Sequence, residues 1–317
     1  MNGPDTAPLP EVTSVPTVTA DACIDDSFPR LVGEWVVHCG PEGRVDRAWN
    51  LATRTGVTLA RAVVSPASAS DRPPSSPPSN AVVWSPDTGA WRLDASLADG
   101  AVVQPGGDWP HLAPAPGPRG VAFAGDTAVV VDARGVDTFR EGVRARSLAA
   151  ARPARGQRIA ATTTDLGTLT VVWVERDEAT GLDLWMRAPD GDRVALNVGP
   201  GDAWRPVARA GKLAWVEEGA LVLHDLATGA RTRFPANTGF LDDPTLDDGV
   251  ACWSDRGALA RGGDIDVHCS DGFVLTRAGH QLHPSRSGLR MIVREGARLL
   301  VVRFPAPTRA AAGDDGR

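Results

Sequence analysis

The chain has 317 residues, 42% of them hydrophobic and 23% charged, with a formal net charge of -6, a profile that excludes a disordered polyelectrolyte and calls for a buried core. Apart from Lys212 every basic residue in its Lys and Arg complement is arginine, scattered singly, so no basic run exists to track a phosphate backbone and nucleic acid is not an expected partner. The apolar runs fall far short of the roughly 20 residues needed to span a membrane.

From the N-terminus, Met1 to Ala22 lacks the basic start and continuous apolar stretch of a secretory signal. Within it Glu11 to Val18 alternates valine with polar residues and reads as a strand. Cys23 and Cys39 form one close pair of cysteines, and Cys252 and Cys269 form another. Two disulfides in an oxidising compartment, or four buried thiols in the cytoplasm, both fit that spacing. Without a C-x-x-C spacing no zinc is expected.

The main signal is repetition, which is sought before single motifs because it changes the whole fold assignment. Five segments carry a proline that opens a strand: Ser27-Phe28-Pro29-Arg30-Leu31, Asp108-Trp109-Pro110-His111-Leu112, Trp204-Arg205-Pro206-Val207, Asp242-Asp243-Pro244-Thr245-Leu246 and Leu282-His283-Pro284-Ser285. Each is followed by an apolar strand: Gly33 to Val37, Gly120 to Phe123, Lys212 to Val216, Gly249 to Trp253 and Leu289 to Val293. The two wide gaps between anchors each hold one further unit. One is a hairpin of Asn80 to Trp84 with Ala90 to Asp94, and the other contains Thr170 to Val174 and Asp183 to Met186. Third and fourth strands recur at Leu221 to Leu226 before Arg231 to Phe234, and at Asp264 to Cys269 before Phe273 to Thr276, separated by Gly-bearing turns.

These units predict an all-β chain: a single β-propeller of about seven four-stranded blades over residues 1–305. The blades fall roughly at 26–60, 61–105, 106–150, 155–199, 200–239, 240–279 and 280–304, and residues 306–317 form a tail. The last unit has only three strands of its own, so the segment 11–19 is expected to close the ring as its fourth. A Ser/Pro-rich stretch from Val63 to Pro78 blurs the second unit and leaves a six-bladed count open.

The stretch Trp253-Ser254-Asp255-Arg256, Gly263 to Val267, Asp271 to Thr276 and His283-Pro284-Ser285 resembles the repeat of TolB-like periplasmic β-propellers. That resemblance implies an envelope location and protein binding, and no chemistry.

No Gly-x-Ser-x-Gly elbow, phosphate-binding glycine loop or metalloprotease helix is present in the sequence. No cofactor and no metal are expected. In a propeller the loops entering the innermost strands meet around the axis, which gathers Asp25, Asp26, Asp108, Trp109, Asp202, Trp204, Asp242, Asp243, His280 and His283 at one channel mouth. An acidic ring with two tryptophans there would hold a basic peptide segment or a cation; read otherwise, these are ordinary solvated loop residues. The leading expectation is a non-catalytic, monomeric extracytoplasmic binding module for a protein or peptide. A propeller hydrolase or lyase acting on a glycan or lactone, and a purely structural surface protein, are the alternatives.

Overall fold

The computed structural model describes residues 10–15, 29–32, 34–39, 45–58, 63–64, 81–85, 90–94, 120–124, 127–132, 135–140, 143–148, 154, 159–164, 168–187, 193–197, 201–236 and 240–305. After β1 (Glu11–Val15), seven antiparallel sheets follow one another along the chain. Blade 1 is β2 (Arg30–Val32), β3 (Trp35–Cys39), β4 (Val45–Asn50) and β5 (Thr55–Thr58). Blade 2 shows three strands, β6 (Val63–Val64), β7 (Ala81–Ser85) and β8 (Ala90–Asp94). Blade 3 comprises β9 (Gly120–Ala124), β10 (Thr127–Asp132), β11 (Gly135–Arg140) and β12 (Val143–Leu148). Blade 4 comprises β13 (Ile159–Thr163), β14 (Leu169–Asp177), β15 (Gly181–Arg187) and β16 (Val194–Ala195). Blade 5 comprises β17 (Ala203–Arg209), β18 (Lys212–Glu217), β19 (Ala220–Asp225) and β20 (Arg231–Pro235). Blade 6 comprises β21 (Leu241–Asp247), β22 (Val250–Asp255), β23 (Asp266–Cys269) and β24 (Val274–Leu275). Blade 7 comprises β25 (Gln281–Ser287), β26 (Arg290–Glu295) and β27 (Arg298–Arg303), and β1 pairs with β27 from Glu11↔Arg303 to Val15↔Leu299.

Local chemistry explains the meander. The β17–β18, β18–β19 and β21–β22 hairpins turn on Ala210-Gly211, Glu218-Gly219 and Asp248-Gly249, in which both residues of each pair have positive φ. That is the two-residue turn whose twist matches paired strands, and the glycine takes the second left-handed position without strain. Three of the anchoring prolines lie inside the inner strands rather than at their starts, Pro29 stands immediately before β2 as expected, and Pro110 lies outside the described residues. Pro206, Pro244 and Pro284 sit where the register slips, between Trp204 and Val207, Asp242 and Thr245, and Leu282 and Ser285. A β-bulge tolerates a residue without an N–H, so in blades 5, 6 and 7 the repeat marks a bulge within a strand rather than a strand's beginning.

The core is laid down between blades. Trp173 packs with Val129, Ile159 and Val171 between blades 3 and 4, and Trp215 with Val172, Val174 and Leu184 between blades 4 and 5. Trp253 packs with Val216 and Leu241 between blades 5 and 6. Cys252 and Cys269, directly opposite on β22 and β23, form a disulfide that faces Met291, Val293, Leu300 and Val302 of blade 7. Ile292 and Val301 then meet Leu31 and Val36 of blade 1. Cys23 lies outside the described residues. Alternation along β14, β18 and β22 sends the tryptophan to the preceding blade and smaller residues to the following one, so each of these layers needs both blades to exclude water.

β1 contributes Val12 to the layer between blades 6 and 7 and Val15 to the layer between blades 7 and 1. Removing residues 1–19 is therefore expected to lower stability by about 2 kcal/mol or more and to promote aggregation through the bared edge of β27. Urea unfolding with light scattering reads both effects, and a truncated chain with an unchanged midpoint would refute strand closure.

Candidate functional site

The residue before each inner-strand proline carries the site. Arg205, Asp243 and His283 have φ of 53, 50 and 52, a left-handed conformation that costs a non-glycine residue on the order of 1–3 kcal/mol. Three blades in succession hold it at the same register position, and the three side chains meet. Arg205 Nη1 donates to Asp243 Oδ1, and His283 Nδ1 lies 2.9 Å from Asp243 Oδ2. Arg205 Nη1 is also 2.9 Å from Asp242 Oδ1, while Arg256 Nη2 donates to Asp242 Oδ2 over 3.2 Å. Asp243 is only 1% exposed, and a carboxylate removed from water so completely is tolerable only when paired.

A second layer lies at the other end of the inner strands. Arg209 Nη1 stands 2.5 Å from Asp247 Oδ1, and the Gly288 N–H donates to Asp247 Oδ2. Further contacts carry the tie around the ring. Gly211 N donates to Thr162 Oγ1 of blade 4 over 3.0 Å, and Leu31 N of blade 1 donates to Ser285 Oγ of blade 7 over 2.9 Å. Arg290 pairs with Glu34 at the same junction of blades 7 and 1. Burial, reinforced by the charge of Asp243, raises the Asp242 pKa against the pull of Arg205 and Arg256. Burial likewise raises Asp247, opposed by Arg209 and the Gly288 N–H.

The structure brings together Asp242, Asp243 and His283 of the residues singled out from sequence. Asp25, Asp26, Asp108 and Trp109 lie outside the described residues. Asp202 is exposed and its Oδ1 accepts the Leu182 N–H over 2.7 Å, tying the entry of blade 5 to blade 4. Trp204 packs into the apolar layers on both sides of blade 5. His280 is exposed, with Nδ1 3.7 Å from Asp264 Oδ1 and accepting the Ile265 N–H. Sequence reading passed over Arg205, Arg209, Asp247 and Arg256. Arg205 was within reach, since it precedes Pro206 as Asp243 precedes Pro244. Two guanidiniums thus face two carboxylates at the upper layer. Among the described residues no group of three or more His, Cys, Asp and Glu is placed to hold a metal ion, and no helix is long and apolar enough to cross a membrane.

With this geometry in hand, the chain is similar to virginiamycin B lyase from Staphylococcus aureus, with a TM-score of 0.54 at 10% identity over 93% of this chain and 100% of that one. The chain is a β-propeller. A catalytically inactive form of the same lyase with quinupristin aligns at a TM-score of 0.51 and 11% identity, over 93% of this chain and 100% of that one. PorZ, a surface component of the type-IX secretion system of Porphyromonas gingivalis, aligns at 0.53 and 8% identity, over 93% of this chain and 39% of that chain. At such identities the likeness is one of fold. No protein-family model matches the chain, and no curated protein matches it in sequence.

Two outcomes are expected. Asp243→Asn leaves Arg205 and His283 facing a neutral amide in a dry site, and urea unfolding should show a loss of about 3–5 kcal/mol. An acid whose folded pKa is raised holds its proton more tightly when folded, so its contribution to stability declines as pH rises from the ordinary 3.8 through the raised value. Asp247→Asn lacks that loss, and its melting temperature relative to the parent should climb between about pH 4 and about pH 7; a difference that falls over this range contradicts the assignment.

Proposed function

We propose that the protein is an extracytoplasmic β-propeller of the TolB-like kind that binds a protein or peptide partner on the face where the inner strands begin. One observation carries this reading. The second and third strands of blades 5 and 7 are joined by two residues, whereas Asp255 and Asp266 of blade 6 are joined by the ten residues 256–265, with a 3-10 turn at Leu259–Arg261. On that raised connection Leu259 is 39% exposed, and beside it Phe240 is 49% exposed. Arg256 ties the two, its N–H donating to the Phe240 carbonyl over 2.9 Å and its guanidinium 5.7 Å from the Phe240 ring. Apolar side chains held out to water by an extra loop on a rigid frame mark a recognition surface. The Cys252–Cys269 disulfide supports an oxidising compartment.

A hydrolase or lyase acting on a glycan or lactone is the second reading, favoured by His283 set against the buried carboxylate of Asp243 with Arg205 alongside. Such a constellation offers a base and a cation for developing negative charge.

A photo-crosslinking residue placed at Leu259 or Phe240 in cells is expected to give a discrete adduct that is rebuilt from the two purified proteins, while the same residue at Leu289, exposed in the β25–β26 turn, gives none. Residues 252 and 269 should resist alkylation until reduced. Adducts equally frequent at Leu289 would remove the binding assignment. Turnover of a lactone or glycan by the purified protein, lost in His283→Gln while its circular dichroism shows the chain still folded, would transfer it to the second reading.

A further inference from the structure

At the end of the ring where the inner strands begin, the acids of β21 are turned inward. Asp242 and Asp243 are 8% and 1% exposed, and their charge is met by Arg205, Arg256 and His283. Blades 6 and 7 present arginine to water at that end instead. Three connections lie side by side there: residues 256–265 between β22 and β23, residues 276–280 between β24 and β25, and residues 296–297 between β26 and β27. Hydrogen bonds join them into one strip. Ile265 N donates to His280 Nδ1 over 3.3 Å, and Gln281 Nε2 donates to the Arg277 carbonyl over 3.2 Å and to the Gly279 carbonyl. Arg277 Nε in turn donates to Glu295 Oε1 over 3.2 Å. Phe240 adjoins the first connection, its carbonyl accepting the Arg256 N–H.

Arg256, Arg261, Arg277, Arg294 and Arg298 stand along this strip, on a chain whose formal net charge is -6. Its acids are Asp264, Asp266 and Glu295. Glu295 is engaged by Arg277, Asp264 Oδ1 stands 3.7 Å from His280 Nδ1, and burial, ahead of any neighbouring charge, raises the Asp266 pKa and so works against its ionised form. Arg261 and Arg298 are exposed, and among the described residues no acid pairs with either. Arg261 lies two residues from Leu259, on the same raised connection. The strip therefore carries surplus positive charge on a protein that is acidic as a whole, beside two apolar side chains held out to water.

We propose that this strip over blades 6 and 7 docks an acidic segment of the partner protein, its carboxylates met by Arg261 and Arg298 and its apolar side chains by Leu259 and Phe240. The inference rests on the binding reading above and deepens it by fixing the sign of the partner. A guanidinium takes a carboxylate in a planar two-bond fork, which makes arginine the stronger reader of such a segment. Exposed charges of one sign steer an oppositely charged partner to the surface and reject one of their own sign. The apolar pair supplies the burial that holds the segment once it has arrived.

The test measures, by calorimetry on the full chain, binding of acetyl-Glu-Leu-Asp-Phe-Glu-Leu-Asp-amide and of its counterpart with Gln and Asn in place of the acids. At about 20 mM salt the acidic peptide is expected to bind about tenfold or more tighter than the amide one, and the difference should shrink as salt rises to about 0.5 M. Arg261→Glu and Arg298→Glu should each weaken the acidic peptide roughly threefold, and together about tenfold or more. Arg54→Glu, in the exposed β4–β5 turn at the other end of the strands, should bind as the parent does. Equal affinity for the two peptides, no binding up to about 1 mM, or a double variant that binds as the parent does would each overturn the proposal. Phosphatidylglycerol vesicles that retain the parent chain and release the double variant, with no peptide binding, would assign the strip to an anionic membrane and overturn it as well. Adducts at Leu259 with equal peptide affinities would sink the acid preference and keep the binding reading; a preference for the acidic peptide without adducts would do the reverse.

Discussion

A buried carboxylate must be neutralised, and the inner strands of this ring are organised around that requirement. Asp243 and Asp247 sit one turn of the bulged strand apart on β21, each almost wholly removed from water, and each is met by an arginine from blade 5. Neither arginine belongs to the same sheet as the acid it faces, so pairing the charges also fixes the spacing of the two blades. His283 and the Gly288 N–H extend the same two levels into blade 7. Deleting any one member leaves a charge stranded in low dielectric, which makes the belt cooperative rather than a sum of independent pairs.

The pre-proline bulge is the device that makes the belt possible. In a regular strand the period of two would aim residues 205, 243 and 283 by alternation alone. The left-handed turn before proline breaks that alternation once, and the strain it stores at three positions is held down by the contacts it creates. Apolar layers between the blades complete the arrangement. Trp173, Trp215 and Trp253 all face the preceding blade, so the same packing step repeats around the ring while the polar step repeats at its centre.

Much of this was legible in the residues. Proline spacing, tryptophan-bearing second strands and Gly-bearing turns were enough to give an all-β propeller with its N-terminal strand paired to the last sheet, because each signal is local and repeats. The site was legible only in part. Asp202, Phe240 and His280 share one register position and are all exposed; Arg205, Asp243 and His283 share another and are linked. Selecting by residue type mixed these two classes and discarded Arg205, while sorting by distance from the proline separates them. Arg256 carries no such mark, since it reaches Asp242 from the loop after β22, a contact between segments that no short-range pattern encodes.

Blade 6 departs from its neighbours in three ways that belong together. Its outermost strand has two residues, its second and third strands are joined by a long connection, and it holds the Cys252–Cys269 bridge. In blade 5 the outer strand is tied back by Arg233 to Glu217 and by Arg231 to the Leu196 carbonyl of blade 4. In blade 6 the residues flanking the outer strand are tied forward to blade 7 instead, Asp271 to Arg286 over 2.9 Å and Arg277 to Glu295 over 3.2 Å. The disulfide joins the second strand to the third in the apolar layer facing blade 7, holding the pairing of β22 with β23 whatever happens at β24. The covalent link inside the blade and the ion pairs to blade 7 together hold the sheet despite its short outer strand. Held in this way, the blade carries a ten-residue connection with exposed Leu259 between its second and third strands, where blades 5 and 7 have two-residue turns.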